Sequence, residues 1–135
     1  MQVLVFELNN QYYAINTEFV SEISKPLEVR NVPKSPDHIV GLVNLRGNII
    51  SLMDLGSLLK LEKKEEEYSH IIIVNMEEEL IGISVNQVKE VIDIEEDEID
   101  KLRRKEHEGA IEGIIKLDYG IVNFLNLEKC ILEKV

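Results

Sequence analysis

The sequence predicts a mainly β protein made of two small barrels arranged as an internal repeat, with a few short helices. Short apolar runs alternate with turn residues along the whole chain, the pattern of many short strands. Two stretches match each other almost without gaps, each too small to be stable alone, which points to two units sharing a packed interface. Helical periodicity is confined to short pieces. At 135 residues the chain has the size of one domain. A chain that long buries roughly two-thirds of its unfolded surface and needs no disulfide or metal.

In chain order, Val3 to Leu8 reads as a strand, Asn9-Asn10-Gln11 as a turn, and Tyr12 to Ile15 as the returning strand. Asn16 suits a helix N-cap, and Phe19, Val20 and Ile23 fall on one side of a short helix ended by Lys25-Pro26. Val29 to Val32 is extended, Pro33 to Pro36 a surface connection, and Asp37 to Val40 a helical turn. Gly41 to Leu55 then forms an apolar hairpin with Arg46-Gly47-Asn48 at its bend, where Gly47 supplies a positive φ and Asn48 tolerates one. Apolar residues on both parities of this hairpin predict burial on both faces or strong coiling. Asp54 caps a helix through Leu61, and Glu62 to Glu67 is a solvated linker.

The second half repeats this order. Ile71 to Met76 and Leu80 to Val85 are strands, with Glu77-Glu78-Glu79 in the place of the asparagine turn. Asn86 is a second N-cap before Val88, Val91 and Ile92. Ile94 to Leu102 is acidic and partly extended, and Arg103 to Gly109 is a polar loop. Gly113 to Leu117 and Ile121 to Leu125 form another hairpin, and Asn126 caps a last helix with Leu127, Ile131 and Leu132. Ile15, Val20 and Glu22 match Ile83, Val88 and Glu90, while Gly41, Leu45, Asp54 and Leu55 match Gly113, Leu117, Asn126 and Leu127. The repeat halves are 1–66 and 67–135 of a single domain.

A residue needed only for the fold recurs in both copies. Leu45, Gly47 and Asp54 recur in kind as Leu117, Gly120 and Asn126, but Asn44 faces Lys116 and Arg46 faces Asp118. Arg46 is therefore copy-specific, on a shared scaffold. It is either a solvated hairpin arginine, a partner contact, or half of an internal pair: Glu22 with Arg46 and, in the other copy, Glu90 with Lys116. Val20 and Val88, on matched short helical turns, are candidate apolar anchors for a partner.

Catalytic chemistry is missing from the pattern. His38, His70 and His107 lack metal-ligand spacing, Cys130 lies among Ile131 and Leu132 as a small hydrophobe, and no phosphate loop or nucleophile elbow is present. The carboxylates cluster in charge runs, the pattern of solvated faces. No cofactor is implied. A net charge of −11 opposes binding to nucleic acid. No run is long enough to span a membrane and no secretory leader is visible, which points to the cytoplasm. What remains is a binding module. A small nucleic-acid-binding barrel lacks its aromatic platform and basic groove here, and a hydrolase or sugar-binding barrel lacks its catalytic pairs.

The run Val32-Pro33…Pro36…Ile39-Val40-Gly41-Leu42-Val43-Asn44-Leu45-Arg46-Gly47…Met53-Asp54-Leu55 resembles the signature of CheW-type chemotaxis coupling proteins. Tyr13-Ala14-Ile15, Val20-Ser21-Glu22-Ile23, Ile81-Gly82-Ile83, Val88…Glu90-Val91 and Leu125-Asn126-Leu127 are similar to that family's other blocks, so the resemblance spans Val3 to Leu132. Ser51 stands where the family often has proline, and Asn126 where it often has aspartate. The resemblance implies two SH3-like five-stranded barrels with a groove between them. It implies a non-enzymatic, cytoplasmic adaptor, recruited to membrane receptor arrays without inserting into the membrane. The partners implied are the regulatory domain of a CheA-type histidine kinase and the cytoplasmic tip of methyl-accepting chemoreceptors; a non-chemotaxis kinase array is the alternative. The chain carries no kinase or receiver segment, so the expectation is a free adaptor. Val20, Glu22, Gly41, Asn44, Arg46 and Val88 are the expected partner-binding residues.

Overall fold

The computed structural model describes residues 1–62, 68–102 and 109–132. The expected charged linker and polar loop lie largely outside these residues, as does His107. The first copy runs β1 (Gln2–Leu8), β2 (Gln11–Asn16), a single 3-10 turn (Thr17–Phe19), β3 (Val20–Ser24), β4 (Val29–Arg30), β5 (Ile39–Leu45), β6 (Asn48–Asp54) and α1 (Leu55–Leu58). The second repeats it with β7 (His70–Met76), β8 (Glu79–Val85), β9 (Gln87–Asp93), a 3-10 turn (Glu96–Glu98), β10 (Ile99–Lys101), β11 (Ile111–Leu117), β12 (Gly120–Leu125) and α2 (Leu127–Ile131). The mainly β class and the repeat are as the sequence predicts. Each sheet numbers six strands where the resemblance implied five; the two- and three-residue strands β4 and β10 lie at sheet edges.

The sheets do not follow the boundary between the copies. One runs β10-β11-β12-β2-β1-β9, the other β3-β7-β8-β6-β5-β4. Each copy thus lends its first hairpin to the other copy's sheet. The exchange is reciprocal: β12 pairs in parallel with β2, and β6 in parallel with β8. Antiparallel pairs complete it, β1 with β9 and β3 with β7.

This exchange makes three cores. Val3, Val5, Ala14, Ile115, Val122 and Phe124 fill the first sheet. Val43, Leu45, Ile50, Leu52, Ile71 and Ile73 fill the second. Leu4, Phe6, Leu8, Ile72, Val74 and Met76 meet between the sheets, with Leu55 and Leu127 of the two helices. Strands β1 and β7 lie in the middle of this arrangement and are buried on both faces, which is why both parities are apolar. Of the two alternatives for the β5–β6 hairpin, burial on both faces or strong coiling, the first does not hold: Ile49 is 62% exposed and Leu42 half-buried. Val43, Leu45, Ile50 and Leu52 enter the second sheet's core, while Met53 at the far end of β6 enters the central one.

Two segments expected to be helical are strands. After the turn capped by Asn16, whose Oδ1 accepts from Glu18 N at 3.0 Å, the chain straightens at Val20 and pairs with β7. Asn86 caps no helix: its Oδ1 accepts from Asn9 N at 2.8 Å, and β9 follows at once to pair with β1. In both cases tertiary pairing overrides a short apolar spacing that fits either period. Asp37 and His38 form a turn, closed by Ile39 N donating to Pro36 O at 3.0 Å, and Ile39 and Val40 belong to β5. Helix α1 stops at Leu58 rather than Leu61. Lys60 adopts φ 59° and Leu61 N donates back to Gly56 O at 2.8 Å, a left-handed C-terminal stop. The caps hold as expected: Asp54 Oδ1 accepts from Gly56 N at 3.1 Å, and Asn126 Oδ1 from Lys129 N at 3.0 Å.

Candidate functional site

The tip of the β5–β6 hairpin, the first of two matched tips, is a two-residue turn. Arg46 and Gly47 take φ 50° and 91° between the paired residues Leu45 and Asn48. The positive φ expected at Gly47 and tolerated at Asn48 therefore falls on Arg46 and Gly47, and Asn48 opens β6. Asn44 stabilises this turn, its Oδ1 accepting from Gly47 N at 2.7 Å. A non-glycine residue in the left-handed region costs energy unless its surroundings hold it there, and here both Asn44 and the arginine's own side chain do so.

The Arg46 guanidinium reaches strand β3. Its Nη1 donates to Glu22 Oε2 at 3.1 Å and its Nη2 to Glu22 Oε1, a bidentate planar pair. The Glu22 carboxyl is held below the usual carboxylate range, mainly by these hydrogen bonds, and Arg46 is raised in return. The arginine side chain is still 70% exposed. Glu22 lies on the edge strand β3 and the tip joins β6 to β5, with β7 and β8 between them in the strand order, so the pair reaches across the curled second sheet.

In the other copy the clasp is chemically different. Lys116 does not pair with Glu90. It approaches Asp100 Oδ2 at 3.8 Å, a diagonal cross-strand neighbour on β10. Glu90 instead accepts from Tyr119 Oη at 2.6 Å. The Tyr119 ring packs edge-on against Tyr12 with centroids 5.0 Å apart, and the Lys89 ammonium lies 5.0 Å from its centroid. Burial first, then the bond to Glu90, pushes the Tyr119 hydroxyl above its ordinary value. The pairing Leu117↔Gly120 puts Gly120 at the place of Asn48, so Tyr119, not Gly120, stands where Gly47 does. Tyr119 is the residue that sequence reasoning missed. Counting a constant offset from Gly41 and Gly113 through the tip would have found it.

The six predicted site residues are distributed as follows. Val20 and Val88 lie on strands, not helical turns, and both pack half-buried against the central core. Glu22 and Arg46 are joined, and Asn44 supports the turn beneath them. Gly41 is buried under β4: a Cβ there would stand 2.5 Å from the Arg30 carbonyl oxygen, as one at Gly113 would stand 2.6 Å from that of Asp100. Glycine at both positions is a packing requirement of the repeat. Cys130 is buried in the central core, and burial pushes its thiol up to about 12. Among the described residues, no three His, Cys, Asp or Glu side chains gather as a metal site would require, and no helix is long and apolar enough to cross a membrane.

A family model for the CheW-like domain matches residues 2–134. The chain belongs to the CheW-like family. It is 28% identical to a chemotaxis protein CheW of Thermotoga maritima, over 98% of this chain and 88% of that one. With the Bacillus subtilis chemotaxis protein CheW it shares 29% identity, over 98% and 87% of the two chains. The crystal structure of the scaffolding protein CheW from Thermoanaerobacter tengcongensis superposes with a TM-score of 0.83 at 30% identity, covering 93% of this chain and 88% of that one. These similarities support the role of a chemotaxis coupling scaffold.

Proposed function

We propose that this chain is a non-enzymatic cytoplasmic adaptor that couples membrane chemoreceptors to a CheA-type histidine kinase. It binds the regulatory domain of the kinase and the cytoplasmic tip of the receptors. The partner surface is formed by Val20, Glu22, Asn44, Arg46 and Val88, with Gly41 acting from below by letting β4 lie against β5. The observation that carries this reading is the copy-specific Arg46–Glu22 pair. Its arginine remains largely exposed, and a guanidinium with two of its five donors engaged still offers the rest to a partner acceptor. Half-buried valines beside a polar rim give the composition of a reversible interface.

The test is titration of the chain with a kinase regulatory domain and, separately, with a receptor cytoplasmic fragment, beside a nucleic-acid shift assay. Saturable binding to kinase and receptor with no shift of nucleic acid is the expected result. Binding to neither protein partner overturns the reading.

A further inference from the structure

In both copies the strand that carries the candidate anchor is interrupted beside it. Along β9, Val88 faces Phe6 and Glu90 faces Val5, so Lys89 is the extra residue of a β-bulge. Along β3, Val20 faces Val74 and Glu22 faces Ile73, leaving Ser21 in the same position. A bulge breaks the ladder and re-aims the neighbouring side chains. Both strands also end their sheets, so each is held by one ladder only. The tips supply what the ladder lacks, and they grip at the bulge itself. Tyr119 takes the carboxylate of Glu90 through its hydroxyl and the ammonium of Lys89 over its ring, and Tyr12 of β2 braces the ring from the side.

We propose that Tyr119 is a positioning residue: it latches the bulge of β9 to the second hairpin tip and so fixes Val88 for partner docking. The assignment rests on the adaptor reading for its partner, but the latch itself does not. A tyrosine fits this place because the tip carries no positive φ at Asp118 or Tyr119, unlike the Arg46-Gly47 tip, where Gly47 itself takes φ 91°. The latch needs no full charge on the tip side, so it resists salt in a way an ion pair does not.

The experiment compares the intact chain with Tyr119→Phe. Amide hydrogen exchange is read strand by strand, and affinity is read for the kinase regulatory domain and the receptor fragment. Loss of the hydroxyl bond is expected to speed exchange across residues 88–91 by about three- to tenfold, with β3 unchanged, and to weaken one partner by a similar factor. Val88→Ala is run in parallel, since a truncation at this half-buried position keeps the fold. Exchange unchanged in β9, or raised equally throughout the chain, overturns the latch. Faster exchange in β9 with both affinities intact, while Val88→Ala weakens binding, overturns its role in positioning. If Val88→Ala leaves both affinities intact, β9 is no partner surface and the positioning role falls with it; the exchange data then show whether the latch stands.

Discussion

The two hairpin tips solve one problem with different chemistry. Each must hold an edge strand at its bulge and close a curled sheet. The Arg46 tip does it with a bidentate ion pair on a left-handed turn, the Tyr119 tip with a hydroxyl–carboxylate bond and a stacked ammonium. The glutamates recur; what grips them does not. The difference separates what the fold requires, a carboxylate anchored to a tip, from what distinguishes the copies, the chemistry exposed at that tip.

The largest effect concerns whether the copies can be compared as separate units at all. Reciprocal exchange of hairpins leaves residues 1–66 with β1, β2 and β6 each paired on one side only and β3 without its one partner strand. That fragment is expected to show no cooperative melt, and a cooperatively melting monomer of 1–66 breaks the comparison. Next come the shared glycines. Gly41→Val and Gly113→Val force a side chain against a backbone carbonyl, and each is expected to cost about 3 kcal/mol or more in thermal or urea denaturation. Markedly unequal costs would mean that the scaffold is less symmetric than its bulges and caps indicate.

Much of this scaffold was legible in the sequence. The two-residue turn at Asn9-Asn10 and the N-caps at Asp54 and Asn126 follow from local chemistry, which a sequence displays, and the Glu77-Glu78 turn follows from the repeat. The exchange was not legible, because a continuous apolar run such as Val3 to Phe6 reads the same whichever copy supplies the neighbouring strand. Nor were β3 and β9. A spacing such as Phe19, Val20, Ile23 fits one helical turn, and only the distant strand β7 decides against it. At the site, the pairing of Glu22 with Arg46 was among the readings, while that of Glu90 with Lys116 assumed a symmetry the tips do not keep.

pH separates the clasps. Glu22 titrates below its ordinary 4.5 in the folded chain, so its clasp contributes stability above that value and loses it as pH falls through the lower folded value. Tyr119 titrates above its ordinary 10.0, so its clasp is complete below 10.0 and is lost as pH rises through the higher folded value. Alkali is therefore expected to speed exchange in β9 before β3, read by hydrogen exchange corrected for the intrinsic pH dependence of each amide; both clasps end on a glutamate, so acid weakens both. Loosening of both strands together in alkali would contradict the contrast.

The smallest effect is on stability at the Arg46 tip. Exposed ion pairs contribute little, so Arg46→Glu is expected to change stability by less than about 0.5 kcal/mol. Adding Glu22→Arg is expected to restore much of any loss, as judged by melting temperature across the three variants.

The most direct measurement is the affinity of the folded Arg46→Glu chain for the kinase regulatory domain and for the receptor fragment. A loss of roughly 2 kcal/mol or more, about 30-fold, is expected for at least one of them with the melting temperature essentially kept. Unchanged affinity for both would contradict it and leave the first tip as scaffold, no different in kind from the second.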